Sequence, residues 1–155
     1  VYRQLLLDDV PVKAGAHAFL ASLHQMDMPR AVATSSSGQK ARAILQKTGL
    51  MHYIQHVTGG DEVPAGKPAP DVYLDAARKL GIDTGDCLAL EDSNNGTTAA
   101  LAAGMTVIQI PDLAPSNRSP NPPDFQICTS LAEAARLIGL EIDMSSPAKI
   151  DASRP

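Results

Sequence analysis

Apolar positions along the chain follow two spacings, one typical of helices and one typical of short buried strands. Residues 16–26 carry alanine, phenylalanine, leucine and methionine at helical spacing, and the run Ala31-Val32-Ala33 has the compact apolar character of a buried parallel strand. Similar pairs of a predicted helix and a predicted strand recur along the rest of the chain. This alternation predicts an α/β fold with a parallel sheet covered by helices, in which ligands bind beyond the carboxyl ends of the strands.

Residues that start and stop helices set the bounds of the other predicted elements. Ser36 and Ser130 each begin a pattern typical of a capping box, and Ser93 or Asn94 is a further candidate cap. The predicted helices cover residues 37–48, 70–80, 93–103 and 130–139, and the predicted strands cover residues 30–34, 56–58, 86–90, 105–110 and 125–128. Residues 141–155 are poor in apolar positions, so we expect a loose tail.

Composition narrows the class of protein. The chain has 155 residues, a size typical of one domain, and its 44% apolar and 3% aromatic content predicts a core of small aliphatic side chains. A net charge of −4 disfavours nucleic acid and anionic membranes as partners. The sequence has neither a signal-peptide pattern nor an apolar stretch of the roughly 20 residues that a membrane span needs. We therefore expect a cytoplasmic protein.

Cysteine and histidine give no metal-binding pattern. Cys87 and Cys128 lie in predicted strands without Cys-x-x-Cys spacing, so we expect free, buried thiols. The four histidines lack the spacing of metal ligands, and packed or surface positions are the simpler interpretation.

Four polar residues carry candidate chemistry, and three of them lie at or next to the ends of predicted strands. Thr34 ends one apolar run, Glu91 and Asp92 end another, and Lys67 lies between them in a loop. Taken singly, each has an ordinary interpretation as a strand end, a solvated charge or an acidic helix start. Together they combine a phosphate-binding hydroxyl, a cation and oxygen ligands of the kind that Mg²⁺ prefers.

Two segments make this set more specific. Residues 66–71 read Gly-Lys-Pro-Ala-Pro-Asp, and residues 90–96 read Leu-Glu-Asp-Ser-Asn-Asn-Gly. With Thr34 upstream, this order resembles the haloacid dehalogenase superfamily, specifically its β-phosphoglucomutase-like phosphatases, over about residues 12–140. The resemblance implies a Rossmann-like parallel sheet with helices on both faces and Mg²⁺-dependent phosphoryl transfer through an aspartyl-phosphate.

The resemblance also implies a role for each candidate residue. Thr34 would orient the phosphate, and Lys67 would pair with the phosphate and the nucleophile. Asp92, helped by Glu91, would hold Mg²⁺. The remaining residues with implied roles are Ser35 and Ser36, which would line the phosphate pocket, and Ser93, which would support the acidic pair.

The printed sequence departs from that family in one respect, because it contains no Asp-x-Asp motif. In the family this motif ends the first strand, and here it would lie upstream of Val1, together with a helical cap of which residues 1–9 resemble the last piece. Residues 10–140 would then be a partial core without its central first strand. We predict no turnover by this chain alone, and either a partial fold or a second chain that supplies the strand.

Two classes of function remain open at this level. The first is part of a phosphatase or phosphosugar mutase whose substrate is a small phosphorylated metabolite. The second is a noncatalytic module that binds phosphate or Mg²⁺ or assembles with another protein. A receiver domain is disfavoured, because there the acidic cluster precedes the other site residues and the lysine comes last.

Overall fold

The computed structural model describes residues 10–112 and 125–143, in which helices and strands alternate. The helices are α1 (Ala16–Gln25), α2 (Gly38–Lys47), α3 (Asp71–Leu80), α4 (Asn94–Ala102) and α5 (Leu131–Leu137). The strands are β1 (Ala31–Ala33), β2 (His56–Thr58), β3 (Leu88–Glu91), β4 (Thr106–Gln109) and β5 (Gln126–Ile127). The α/β prediction is confirmed, whereas residues 1–9 and the tail from residue 144 lie outside the described residues. No helix in the described ranges is long and apolar enough to cross a membrane.

Three serines cap the starts of helices, and at one of these helices the cap is not the serine that the sequence predicted. Ser130 caps α5 by accepting a hydrogen bond from Glu133 N, and Ser93 caps α4 by accepting one from Gly96 N. The predicted cap at Ser36 is wrong, because Ser37 caps α2. Ser36 instead belongs to the preceding loop, where its carbonyl accepts a hydrogen bond from Gly60 N at 2.9 Å.

The strands form two parallel sheets rather than one. The pair β1 and β2 runs parallel with Val32 opposite Val57, and a separate sheet has the order β3-β4-β5. Within the described residues, β1 and β3 share no strand pairing, although both contribute to the walls of one pocket.

Helices cover both faces of the three-stranded sheet. Val107 of β4 packs in a cluster with residues of α3 and α4, whereas the next residue, Ile108, packs in a cluster with residues of α1 and α5. Successive side chains of a strand point to opposite faces, so β4 lies between two helical layers. Val107 and Ile108 are 1% and 2% exposed, which places the centre of the core at β4.

Two expectations about burial fail near the divided sheet. None of the three residues of β1 is buried, although its apolar run predicted a buried strand, because β1 has a strand neighbour on one side only. Cys87 is half-buried rather than buried and precedes β3, since a 3-10 turn over Thr84–Asp86 delays the start of that strand. Cys128 is buried as expected, and both thiols are free.

Candidate functional site

A pocket of about 490 Å³ lies at the carboxyl ends of β1 and β3. This is the edge of a parallel sheet at which α/β proteins bind ligands. Its polar lining consists of Lys13, Thr34, Ser35, Ser36, Lys67, Glu91, Asp92, Ser93 and Asp112. The pocket therefore gathers every site residue predicted from the sequence, and adds Lys13 and Asp112.

Thr34 continues β1 by one residue and shapes the loop that follows. Its backbone N–H donates to Thr58 O at 3.0 Å, and its hydroxyl oxygen accepts a hydrogen bond from Ser36 N at 3.1 Å. The amide of Ser36, a residue expected to line the phosphate pocket, is thus bonded to the Thr34 hydroxyl. Gly60 allows this loop to pack closely, since a Cβ at that position would lie 2.7 Å from Ser35 O.

Lys67 is buried where the two sheets approach each other. Its Nζ donates to Ala33 O of β1 at 3.1 Å and forms an ion pair with the Glu91 carboxylate of β3. Nζ also donates to the Tyr73 hydroxyl at 3.1 Å. The side chains of Lys67 and Glu91 are only 7% and 6% exposed. One ammonium group therefore joins the two halves of the divided sheet.

Both oxygens of Glu91 have several partners. Oε1 accepts from Lys67 and from the Tyr73 hydroxyl, while Oε2 accepts from Asp92 N, Ser93 N and Ser93 Oγ. Burial raises the pKa of Glu91, but the hydrogen bonds from Lys67 and Tyr73 outweigh burial and lower its pKa overall. Burial, followed by the Glu91 charge, raises the pKa of Tyr73. Glu91 is therefore held ionised and Tyr73 is held neutral. Gly96 belongs to the same arrangement, because a Cβ there would lie 2.0 Å from the Glu91 carboxylate.

Asp92 is the exposed member of the acidic pair. Partial burial is the largest cause that raises the pKa of Asp92, and the charges of Glu91 and Asp112 raise that pKa further. Its carboxylate forms no ion pair with any residue in the described ranges, whereas Asp112 is paired with Lys13 at the pocket rim. The pocket lining holds two lysines and three carboxylates, so it has an excess of one negative charge.

This excess charge favours a cation, and Mg²⁺ is the cation that the resemblance implies. Mg²⁺ keeps several waters and is usually bound by one or two carboxylates together with substrate phosphates. Asp92 can supply one such carboxylate, while Glu91 would have to give up one of its present hydrogen-bond partners to become a Mg²⁺ ligand. The described residues contain no cluster of three metal-ligating side chains. The residues present thus fit a site completed by water and phosphate.

Several polar residues close to the site in sequence, or able to bind metals in other proteins, lie outside the pocket lining. Asp61 accepts a hydrogen bond from Gly38 N at the start of α2, and Glu62 pairs with Arg42, so neither pairs with Lys67. His24 and His52 pack against each other and against Tyr53, as the packed-histidine interpretation predicted.

Sequence reasoning missed two members of the pocket, Lys13 and Asp112, and also Tyr73, which contacts Lys67 and Glu91. Tyr73 lies two residues after the Gly-Lys-Pro-Ala-Pro-Asp segment, and its helical position alone indicates core packing. Lys13 and Asp112 are 99 positions apart, and only the fold brings their side chains together. A search for polar residues next to each predicted strand end would have found Asp112, which follows β4 closely.

The fold and the pocket define an α/β protein with a charged pocket at the carboxyl ends of parallel strands. Residues 1–104 match the family of haloacid dehalogenase-like hydrolases. The chain belongs to that family, which confirms the resemblance identified from the sequence.

Similar proteins include several phosphatases. The chain is 38% identical over 115 residues to the "Probable pseudouridine-5'-phosphatase" of Drosophila melanogaster, a match covering 70% of this chain and 50% of that protein. It is 40% identical over 82 residues to the fructose-1-phosphate phosphatase YqaB of Escherichia coli K12, covering 53% and 44% respectively.

A solved structure shows the same fold. The crystal structure of CbbY from Rhodobacter sphaeroides in complex with phosphate has a TM-score of 0.69 and 30% identity, over 78% of this chain and 55% of that one. The chain thus spans about half the length of the proteins that it resembles.

Proposed function

We propose that this chain supplies the phosphate-binding and metal-binding half of a site for Mg²⁺-dependent phosphoryl transfer from small phosphorylated metabolites. The observation that carries the proposal is the convergence of Thr34, Lys67 and Asp92 on one pocket. The substrates named for the similar phosphatases support this class of substrate, but they differ among themselves. We therefore propose no single metabolite.

Each residue has a distinct task in this proposal. The Thr34 hydroxyl and the Ser35 amide donate hydrogen bonds to phosphate oxygens, for which the Thr34 hydroxyl proton is available while its oxygen accepts from Ser36. Lys67 is a fixed positive charge against the phosphoryl group, because Glu91 holds its ammonium group in place. These contacts orient the phosphorus and stabilise the negative charge on its oxygens.

Asp92 would hold Mg²⁺ at the mouth of the pocket, and Glu91 remains a proposed second ligand. When bound, the ion neutralises charge on the phosphoryl oxygens. Ser93 contributes by donating from N and Oγ to Glu91, which fixes the backbone from which the Asp92 side chain extends.

The covalent step requires a carboxylate nucleophile and a general acid–base, and the printed sequence has no Asp-x-Asp motif. We propose that these two groups come from outside the 155 residues. The chain alone is then expected to bind ligands without turning them over.

A binding experiment and a turnover experiment test the proposal together. Mg²⁺ and then inorganic phosphate are added to the labelled 155-residue chain while the amide NMR signals are followed. We expect saturable shifts at Thr34, Ser35 and Ser93. Asp92→Asn should abolish the response to Mg²⁺, whereas Asp86→Asn, which removes an exposed carboxylate outside the pocket, should leave it unchanged.

Turnover is measured by hydrolysis of a generic phosphomonoester. The 155-residue chain should show none above the blank, and a version extended upstream with an Asp-x-Asp strand and cap should be active. Hydrolysis by the short chain that Asp92→Asn abolishes would disprove the proposed source of the nucleophile. Binding by both versions without turnover by either would favour the noncatalytic module.

A further inference from the structure

We infer that Tyr73 is a positioning residue for phosphate binding: its hydroxyl bridges Lys67 and Glu91 from behind the pocket, and so directs one N–H group of Lys67 towards the phosphate position. The inference rests on the proposed function, because it assigns a further residue to the same site. It gives a buried tyrosine of α3 a task that its helical position alone does not indicate.

Tyr73 lies on the inner side of the Lys67–Glu91 pair. The residue is 7% exposed, and it packs in the cluster that contains Val107, on the face of the sheet covered by α3 and α4. Lys67 and Glu91 line the pocket, whereas Tyr73 is not part of the lining. A ligand in the pocket therefore meets the lysine and the carboxylate, and the tyrosine acts on that ligand only through them.

The Tyr73 hydroxyl contacts both charged groups at once. It donates a hydrogen bond to Glu91 Oε1, and its oxygen accepts one from Lys67 Nζ at 3.1 Å. The ring also lies against the lysine, with Nζ 4.7 Å from the ring centroid. A lysine side chain has a long flexible stem, whereas a tyrosine ring has few torsions and here is held by packing. Tyr73 is therefore the rigid member of the three.

The three N–H groups of the Lys67 ammonium each have an acceptor. These acceptors are Ala33 O, Tyr73 Oη and Glu91 Oε1. A phosphate oxygen must therefore replace one of them to bind Lys67. Ala33 lines the pocket and its carbonyl is uncharged, so phosphate takes the N–H group that Ala33 O now accepts. Tyr73 and Glu91 keep the other two and hold the ammonium group in place.

The two oxygens of Glu91 separate the effect on phosphate from the effect on Mg²⁺. Oε1 contacts Lys67 and Tyr73, whereas Oε2 accepts from Asp92 N and from Ser93 N and Oγ. Loss of the Tyr73 hydroxyl changes only the first set of contacts and leaves the backbone of Asp92 held as before. We expect this loss to weaken phosphate binding without weakening Mg²⁺ binding.

Tyr73→Phe tests the inference on the 155-residue chain, because it keeps the ring and removes only the hydroxyl. Separate titrations with inorganic phosphate and with Mg²⁺ are followed by amide NMR. Phosphate binding should be at least about fivefold weaker, as expected for the loss of one hydrogen bond, and the Mg²⁺ affinity should change by less than about twofold. Tyr53→Phe is the matched control, since Tyr53 is 4% exposed and its hydroxyl forms no hydrogen bond within residues 10–112 and 125–143. It should leave both affinities unchanged.

The ammonium group of Lys67 gives a second readout that needs no ligand. The lysine side chain is 7% exposed, so its bonded ammonium protons should exchange slowly enough with water to give a nitrogen–proton NMR signal. The signal is identified by its proximity to the ring protons at position 73. We expect it in the unmutated chain and in Tyr53→Phe, and we expect its loss in Tyr73→Phe.

Three results would overturn the inference. Equal weakening of phosphate and Mg²⁺ binding by Tyr73→Phe would indicate a general loss of structure. Unchanged phosphate binding, or an ammonium signal that persists without the hydroxyl, would show that Glu91 alone positions Lys67. If the unmutated chain binds no phosphate, the proposed function fails, whereas loss of the ammonium signal in Tyr73→Phe would still support the anchoring of Lys67 by Tyr73.

Discussion

The strands β1 and β4 each have a valine at their centre but lie in different surroundings. Val107, Ile108 and Gln109 of β4 are each no more than 2% exposed, whereas every residue of β1 is half-buried. β4 has a strand neighbour on each side, and β1 has one neighbour only. An apolar run thus specifies a strand, but its burial depends on what pairs with both of its edges. The half of the molecule built on β3, β4 and β5 should hold most of the stability.

Breaking the link between the two halves should have the largest effect. Lys67→Met removes the ammonium group that contacts Ala33 O and Glu91, and leaves the buried Glu91 carboxylate without its counter-ion. Loss of one partner of a buried pair costs about 3 kcal/mol. Urea unfolding followed by circular dichroism should show this loss. The transition should also broaden, because the halves are no longer joined there.

Lys79→Met is the matched control, since Lys79 is likewise ion-paired, with Glu62 and Asp75, but its side chain is 26% exposed. It should cost less than about 1 kcal/mol. Equal losses for the two variants would show that the buried Lys67 pair contributes no more to stability than a partly exposed one.

Truncation of one valine in each half compares the two strands directly. Val107→Ala empties a fully buried position and should lower the free energy of unfolding by about 2 kcal/mol, from lost burial and the cavity left behind. Val32→Ala removes the same atoms from a half-buried strand and should cost about 1 kcal/mol or less. Chemical denaturation measures both, and a larger loss for Val32 would contradict the comparison.

The serine caps of α2 and α4 extend the comparison to the helices. Ser37→Ala removes one hydrogen bond, from Lys40 N, and should cost about 1 kcal/mol. Ser93→Ala removes the acceptor for Gly96 N and also the donor to Glu91, so we expect about 2 kcal/mol. Thermal unfolding should show a larger loss of stability for Ser93→Ala than for Ser37→Ala. A larger loss for Ser37→Ala would show that the hydrogen bond from Ser93 to Glu91 adds little to stability.

Acid should lower the stability of the half that contains β1 and β2 by protonating two carboxylates, those of Glu62 and Asp75. Hydrogen bonds, first from Arg42 to Glu62 and from Lys79 to Asp75, lower the pKa of each acid to about 2. Because these values lie below those of the unfolded chain, the stabilisation is complete above about pH 4.5 and is lost as the pH falls towards 2. Both groups are partly solvated, so the combined effect should be about 1 kcal/mol. Glu62→Gln with Asp75→Asn should flatten the acid limb of a stability-against-pH curve. An unchanged slope would assign that limb to other groups.

The sequence predicted the order of the elements and the gathering of Thr34, Lys67 and Asp92, because apolar periodicity and motif spacing are local properties. The start of α2 was misplaced by one residue, since the choice between Ser36 and Ser37 depends on the contact of Ser36 with Gly60. The half-burial of β1 and the Lys13–Asp112 pair depend on segments distant in sequence. Such features follow from tertiary packing and have no local signal.

The close contact between Gly96 and Glu91 limits how this sequence can diverge. The site for a side chain at position 96 is already filled by the carboxylate that holds Lys67, whereas the adjacent Asn95 is exposed. Drift at Asn95 is therefore unconstrained by packing, while any replacement of Gly96 must move Glu91 and disturb the lysine behind it. When a library randomised over this segment is selected for folded protein, glycine should be retained at position 96 while residue 95 varies freely.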